Sequence, residues 1–248
     1  MNSPQPQRPV SEGHLLGGRV HHSQPVEGFR TGIEPVLLAA TIVARPGERV
    51  LEAGTGSGAA LLCLAERIPG VLGFGVEIDP AQAALAAANA SANGFAGLQI
   101  VVGDITHLPL SGPFDHAFAN PPYHAGSGSR SPNPARDQAK RRFPALFEIW
   151  AAGLAGALRP RGTLTFIVPA ASLSPCLEAM AAADCPADAV LPLWPKPGKA
   201  AKLVILRGIK TGRAPLRLLA GLTLHRHEGG YSAAAEAILR DGASLPVD

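Results

Sequence analysis

Five consecutive residues, Ala119-Asn120-Pro121-Pro122-Tyr123, close an apolar run with groups suited to holding a flat amine. Asn120 precedes a proline and is therefore held extended, and Pro121 and Pro122 fix φ at the next two positions. The Asn120 amide oxygen and the Pro121 backbone carbonyl can each accept one hydrogen of a planar NH₂ group. The lone pair of such a group is delocalised into its ring or carbonyl, so it is a weak nucleophile. Two aimed acceptors favour pyramidal nitrogen, and positioning and electrostatics then carry the rate without a strong base. Pro122 and Tyr123 border the same place, and a base stacked on Tyr123 would gain roughly 1–3 kcal/mol. The plain alternative is a proline-rich turn at a strand end.

Some sixty residues earlier, Glu52-Ala53-Gly54-Thr55-Gly56-Ser57-Gly58 lies where a buried strand turns into a helix. Glycines there allow positive φ and close approach of a ligand, and the helix start offers free amides to an anion. A dinucleotide fingerprint would place its third glycine at Ala59, although it tolerates alanine. Glycines at 54, 56 and 58 behind an acid suit S-adenosylmethionine; another nucleotide-binding turn stays open. Two more acids stand at successive strand ends. Glu77 can take both ribose hydroxyls, and Asp104 can accept from an adenine amino group while Ile105 packs on the ring. Ligands of open α/β sheets bind at such carboxyl ends. For either acid the bland reading is a helix cap, the role that suits Asp79 best.

The elements that must position these groups alternate. Strands are expected over residues 49–53, 72–77, 98–102, 115–119 and 163–168, with helices over 59–68, 80–92, 145–158 and 173–183 between them. That order implies a mostly parallel sheet covered on both faces. Strands at 190–194 and 202–207, joined only by a short Pro-Lys-Pro-Gly turn, must pair antiparallel. The fold expected is α/β, a Rossmann-like sheet of seven strands ending in an antiparallel hairpin. Ahead of it, residues 17–25 read as a hairpin or extended lead-in. Thr31 and Glu34 have capping-box spacing for a helix running to 44, with Pro35 in its first turn. A helix over 232–240 comes after an apolar stretch at 216–224.

At 248 residues and 46% apolar, the chain can bury a full core as one domain over 13–248, behind a disordered tail over 1–12. Cys63, Cys176 and Cys185 match no metal spacing and leave one thiol over in any disulfide scheme, which implies a reduced, cytoplasmic protein. No apolar run is long enough to span a membrane. No metal is implied, and His21, His22, His225 and His227 read as surface residues. Charge is asymmetric: residues 189–227 hold eight Lys or Arg and no acid. A second cluster after the clamp holds Arg130, Arg136, Lys140, Arg141 and Arg142. Together with Lys196 and Lys199 in the hairpin turn, it suits a polyanionic partner.

The glycine loop, Glu77, Asp104 and Asn120-Pro121-Pro122-Tyr123 resemble class I methyltransferases that modify exocyclic or amide nitrogens. Residues 28–38, Gly-Phe-Arg-Thr-Gly-Ile-Glu-Pro-Val-Leu-Leu, and residues 231–239 resemble the bacterial tRNA(Val) adenine-N6 methyltransferase family. The resemblance covers residues 17–243. It implies S-adenosylmethionine as donor, a tRNA partner and methylation of an adenosine just 3′ of the anticodon. On the same ground Thr31 belongs to the segment closing over the donor's methionine end, and Asn120 borders donor as well as acceptor. The chain departs from the family in a Gly/Ser-rich stretch over 125–131. The same clamp also suits protein glutamine-N5 and RNA guanine-N2 methylation. The glutamine enzymes carry a helical recognition domain ahead of the donor fold, for which about forty-eight residues before Val50 are too few. An RNA-binding module that has lost donor binding is a rival of another class, and retention of Asn120, Glu77 and Asp104 argues against it.

Overall fold

The computed structural model describes residues 9–27, 31–108, 110, 112–122 and 135–247, with backbone alone for 135–144. The chain opens with a hairpin, β1 (Val10–Leu15) and β2 (Val20–Pro25), paired antiparallel from Val10↔Pro25 to Leu15↔Val20. Residues 10–12, expected in a disordered tail, are therefore part of a strand. α1 (Glu34–Thr41) carries Pro35 in its first turn, but the capping box does not form. Its N-cap is Ile33, whose backbone is already helical, and its carbonyl accepts Leu37 N–H at 3.0 Å. Thr31 lies two residues too early to cap. Its N–H donates instead to Gln24 Oε1 at 2.8 Å. The helix stops at Thr41, short of 44, because Ile42 is extended.

The alternating units come next: β3 (Arg49–Ala53), α2 (Ala59–Arg67), β4 (Leu72–Glu77), α3 (Pro80–Ala92) and β5 (Leu98–Val102). Asp79 starts α3 by accepting Ala81 N–H at 2.9 Å, ahead of Pro80. Beyond them lie β6 (Phe114–Ala119), α4 (Ala135–Ala157), β7 (Leu158–Pro169) and α5 (Leu173–Ala182). α4 begins ten residues earlier than expected and runs through Pro144. A proline inside a helix forfeits one backbone bond and crowds the preceding turn, and a 23-residue helix packed along the sheet carries that cost. The chain ends with β8 (Ala187–Trp194), β9 (Leu203–Ile209), β10 (Arg217–Leu218), β11 (Leu222–Thr223) and α6 (Ala233–Asp241). Ser232 caps α6, accepting Ala235 N–H at 3.1 Å.

The large sheet has the order β10-β8-β9-β7-β6-β3-β4-β5, with β11 also on β8. Seven strands are those expected; β10 and β11 are two-residue additions at the edge. Strands β3 to β7 pair parallel, and β9 runs antiparallel to both β7 and β8. Alternation along each strand divides the core between the two faces. Val50 and Phe118 face Leu37, Leu61 and Ile238 of α1, α2 and α6. Leu51, Ala117 and Phe166 face Phe147 and Leu154 of α4 and Met180 of α5. Among the described residues no helix is long and apolar enough to cross a membrane.

Candidate active site

β3 and β6 are neighbours whose last residues pair, Ala53↔Ala119. From β3 the chain moves outward through β4 and β5, then returns to β6 on the other side. A crevice opens where strand order reverses in this way. One register contact thus sets the glycine loop, beginning at Gly54, beside Asn120-Pro121. Both segments line a single cavity of about 390 Å³, together with Thr31, Glu52 and Glu77.

The loop is left-handed at Gly54 (φ 64°), Gly56 (φ 54°) and Gly58 (φ 92°). L side chains rarely adopt that conformation. A Cβ at Gly54 would come within 2.6 Å of Trp150 Cη2, so the loop is seated against α4, whereas one at Gly56 would meet no atom within 4 Å. The α2 helix begins directly behind, and the Leu61 amide of its first turn donates to Glu52.

Two carboxylates are fixed around the loop. Glu77 accepts Gly56 N–H on Oε2 at 2.8 Å and Asp79 N–H on Oε1 at 2.9 Å. An ionised carboxylate has about four acceptor sites, so each oxygen keeps capacity for a ligand hydroxyl. Glu52 is 4% exposed, and Thr55 Oγ1 donates to its Oε2 at 2.6 Å. Burial pushes the Glu52 pKa up to about 8, with the Thr55 bond opposing. A cationic ligand would restore the charged form. S-adenosylmethionine brings an ammonium, a sulfonium and a ribose diol, and this donor set fits them. Asn120 is half-buried beside the loop, Pro121 is buried and Pro122 is exposed.

Other expected site residues do not line this cavity. Asp104 is exposed and accepts Thr106 N–H at 2.8 Å, capping the 3-10 turn Ile105–His107. That bond holds its pKa below the usual range. Ile105 is buried in the α4-side core, where Gly153 leaves room for it. Neither residue lines the cavity. Arg136, Lys140, Arg141 and Arg142 stand on the first turns of α4, ahead of the helix start expected at 145. Lys196 and Lys199 are exposed in the β8–β9 turn. The pair Pro169↔Leu203 sets that turn at the rim of the sheet where β3 and β6 end. Tyr123, Arg130 and the stretch 125–131 lie outside the described residues.

Lining residues that the sequence reading did not place in the site include Ile78 (68% exposed), Gln82 and Trp150. Ile78 had a signal, being a large apolar side chain directly after a strand-end acid. Trp150 had none, since only the tertiary fold brings α4 to Gly54. One expectation fails outright: His22 is not a surface residue but 2% exposed, with Nε2 2.8 Å from Ser57 Oγ.

A doubly wound sheet with this loop and carboxylate pair at its switch point defines a class I S-adenosylmethionine-dependent methyltransferase. Comparison with known proteins agrees. A family model described as "Methyltransferase domain" matches residues 50–132. A solved structure of a "predicted O-methyltransferase" from Agrobacterium tumefaciens shares the fold, with TM-score 0.71 and 21% identity over 86% of this chain and 98% of that one. The tRNA1(Val) (adenine(37)-N6)-methyltransferase of Actinobacillus succinogenes is 32% identical over 196 residues, 77% of this chain and 81% of the relative. Its counterpart in Bacteroides thetaiotaomicron is 31% identical over 143 residues, 57% of this chain and 60% of the relative. The chain thus spans less than two thirds of that relative's length. It belongs to the methyltransferase family of these tRNA-modifying relatives.

Proposed function

We propose that this protein methylates N6 of an adenosine in tRNA, beside the anticodon of a valine tRNA, using S-adenosylmethionine. The observation that carries the reading is the Ala53↔Ala119 pair, which joins a donor loop and two amine acceptors in one cavity. S-adenosylmethionine supplies an electrophilic sulfonium methyl. Glu77, the loop amides and Glu52 hold the donor's polar groups, with Thr31 closing its methionine end. The Asn120 amide oxygen and the Pro121 carbonyl accept the two amino hydrogens and direct the nitrogen lone pair inward. Their contribution is electrostatic and geometric and grows as nitrogen becomes pyramidal. Tyr123 stacks on the adenine, with Pro122 beside it.

The basic residues support RNA as the carrier of that amine. Lys196 and Lys199 stand at the rim onto which the cavity opens, and the first turns of α4 carry Arg136, Lys140, Arg141 and Arg142. Phosphate contacts from such residues position a substrate without reading sequence. Labelled S-adenosylmethionine, purified protein and unmodified valine tRNA test the reading directly. N6-methyladenosine in the digested tRNA is expected. Transfer to protein glutamine, or to N2 of guanosine, would replace it with the corresponding rival.

A further inference from the structure

Two walls of the donor cavity are tied to a strand that is not part of the large sheet. Among the described residues β2 pairs only with β1, and its other edge faces α3. Buried backbone groups need partners, and an amide side chain offers both a donor and an acceptor. Asn89 accepts Ser23 N–H at 3.0 Å and donates to Ser23 C=O at 2.8 Å. One helical turn on, Asn93 does the same for His21, at 2.8 and 2.7 Å. These bonds fix β2 against α3.

Further bonds reach residues that line the cavity. His22 Nε2 lies 2.8 Å from Ser57 Oγ, and Asn89 also donates to Ser57 C=O at 2.9 Å. Gln24 Oε1 accepts Thr31 N–H at 2.8 Å. Ser57 belongs to the glycine loop and Thr31 stands ahead of α1, so one strand reaches two separate walls. A loop with three left-handed glycines has unusual backbone freedom. Fixing it before the ligand arrives lowers the ordering cost of binding.

We infer that the N-terminal hairpin is a working part of the donor site, with His22 and Gln24 as positioning residues that hold Ser57 and Thr31 in their binding conformation. Burial, helped by neighbouring His21, lowers the His22 pKa to about 4, so the ring meeting Ser57 is neutral near pH 7. Neither residue is required to touch the donor.

Calorimetric titration of the full chain with S-adenosylmethionine tests this without reference to any acceptor. Its failure would leave the proposed substrate untouched. Asn93→Ala serves as the control, because Asn93 docks the hairpin at His21 and does not line the cavity. His22→Ala should raise the donor Kd about five- to fiftyfold, the scale of leaving one buried partner unmatched. His22→Gln, which restores a hydrogen-bonding group, should recover most of that loss. Gln24→Ala should raise Kd several-fold and decides the matter if His22→Ala does not fold. Asn93→Ala should lower the melting midpoint and leave Kd within about twofold, as expected when only docking is weakened. Unchanged Kd in folded His22→Ala and Gln24→Ala would overturn the inference. So would an equal rise in Asn93→Ala, which would reduce the hairpin to general support.

Discussion

At the N-terminal end of the sheet, Thr163 Oγ1 lies 2.7 Å from His116 Nδ1, and His116 Nε2 lies 3.1 Å from Glu48 Oε2. Hydroxyl, imidazole and carboxylate in line resemble a catalytic relay. Beside them Asp115 accepts Arg49 N–H at 2.9 Å and Arg159 Nε–H at 2.6 Å. These groups meet one another, and Glu48 also accepts Arg45 N–H at 2.8 Å. At the other end of the same strands, Glu52, Glu77 and Asn120 converge on a cavity, and Glu52 is desolvated enough to resist ionisation. Residue types are similar at both ends; the groups at one end complete a fold, and those at the other are arranged around space for a ligand. Geometry toward an opening, and not the mere presence of reactive side chains, separates the two.

Substitutions at the two ends should therefore fail in different ways. The largest effect is expected at Asn120. Asn120→Ala should lower turnover about 100-fold or more, on the scale of removing one preorganised transition-state contact. The donor Kd should move little, a split that single-turnover kinetics beside calorimetry resolves. Glu77→Ala comes next, weakening S-adenosylmethionine by about 1.5–3 kcal/mol, the scale of hydrogen bonds to a charged group. Unchanged affinity in a folded Glu77→Ala protein would remove Glu77 from the site.

The ligand-free protein should also carry the signature of Glu52 in its stability. Its pKa rises from 4.5 to about 8 on folding. The native state then holds a proton that the unfolded chain has lost, so this contribution is full below about pH 4.5 and gone above about pH 8. Denaturant titrations should show stability from this group falling across that window by a few kcal/mol. Glu52→Gln should flatten that part of the slope. At the opposite end, His116→Ala should cost about 1–3 kcal/mol of stability by removing the imidazole that joins Thr163 to Glu48, with the donor Kd unchanged. A change in donor affinity there would erase the distinction between the ends. The smallest effect is expected at the rim. Lys196→Glu with Lys199→Glu should weaken tRNA and flatten its salt dependence by about 0.7–0.9 log units per lost contact, sparing donor binding. Filter binding across a salt series reads both.

Much of this arrangement was legible in the chain. Buried runs bounded by turn residues located β3, β4 and β5, and the Asp79-Pro80 start of α3 follows from capping chemistry. Glu52, Gly54, Gly56, Glu77 and Asn120, which line the cavity, were legible as a group because they lie at or just after strand ends, where α/β sheets gather ligand contacts. What escaped depended on distant partners. The helix expected from 145 begins at Ala135. Thr31 had the right spacing to cap but spends its amide on Gln24. His22 looked like half of a surface pair because its partner, Ser57, is 35 residues away.

The central claim, an adenosine amine held against the donor by Asn120 and Pro121, is tested most directly by mass spectrometry of nucleosides. Unmodified valine tRNA would be incubated with labelled S-adenosylmethionine and either wild-type protein or Asn120→Ala. The expected result is labelled N6-methyladenosine beside the anticodon with wild type and almost none with the variant. Label on another nucleoside, or equal N6-methyladenosine from both proteins, would contradict it.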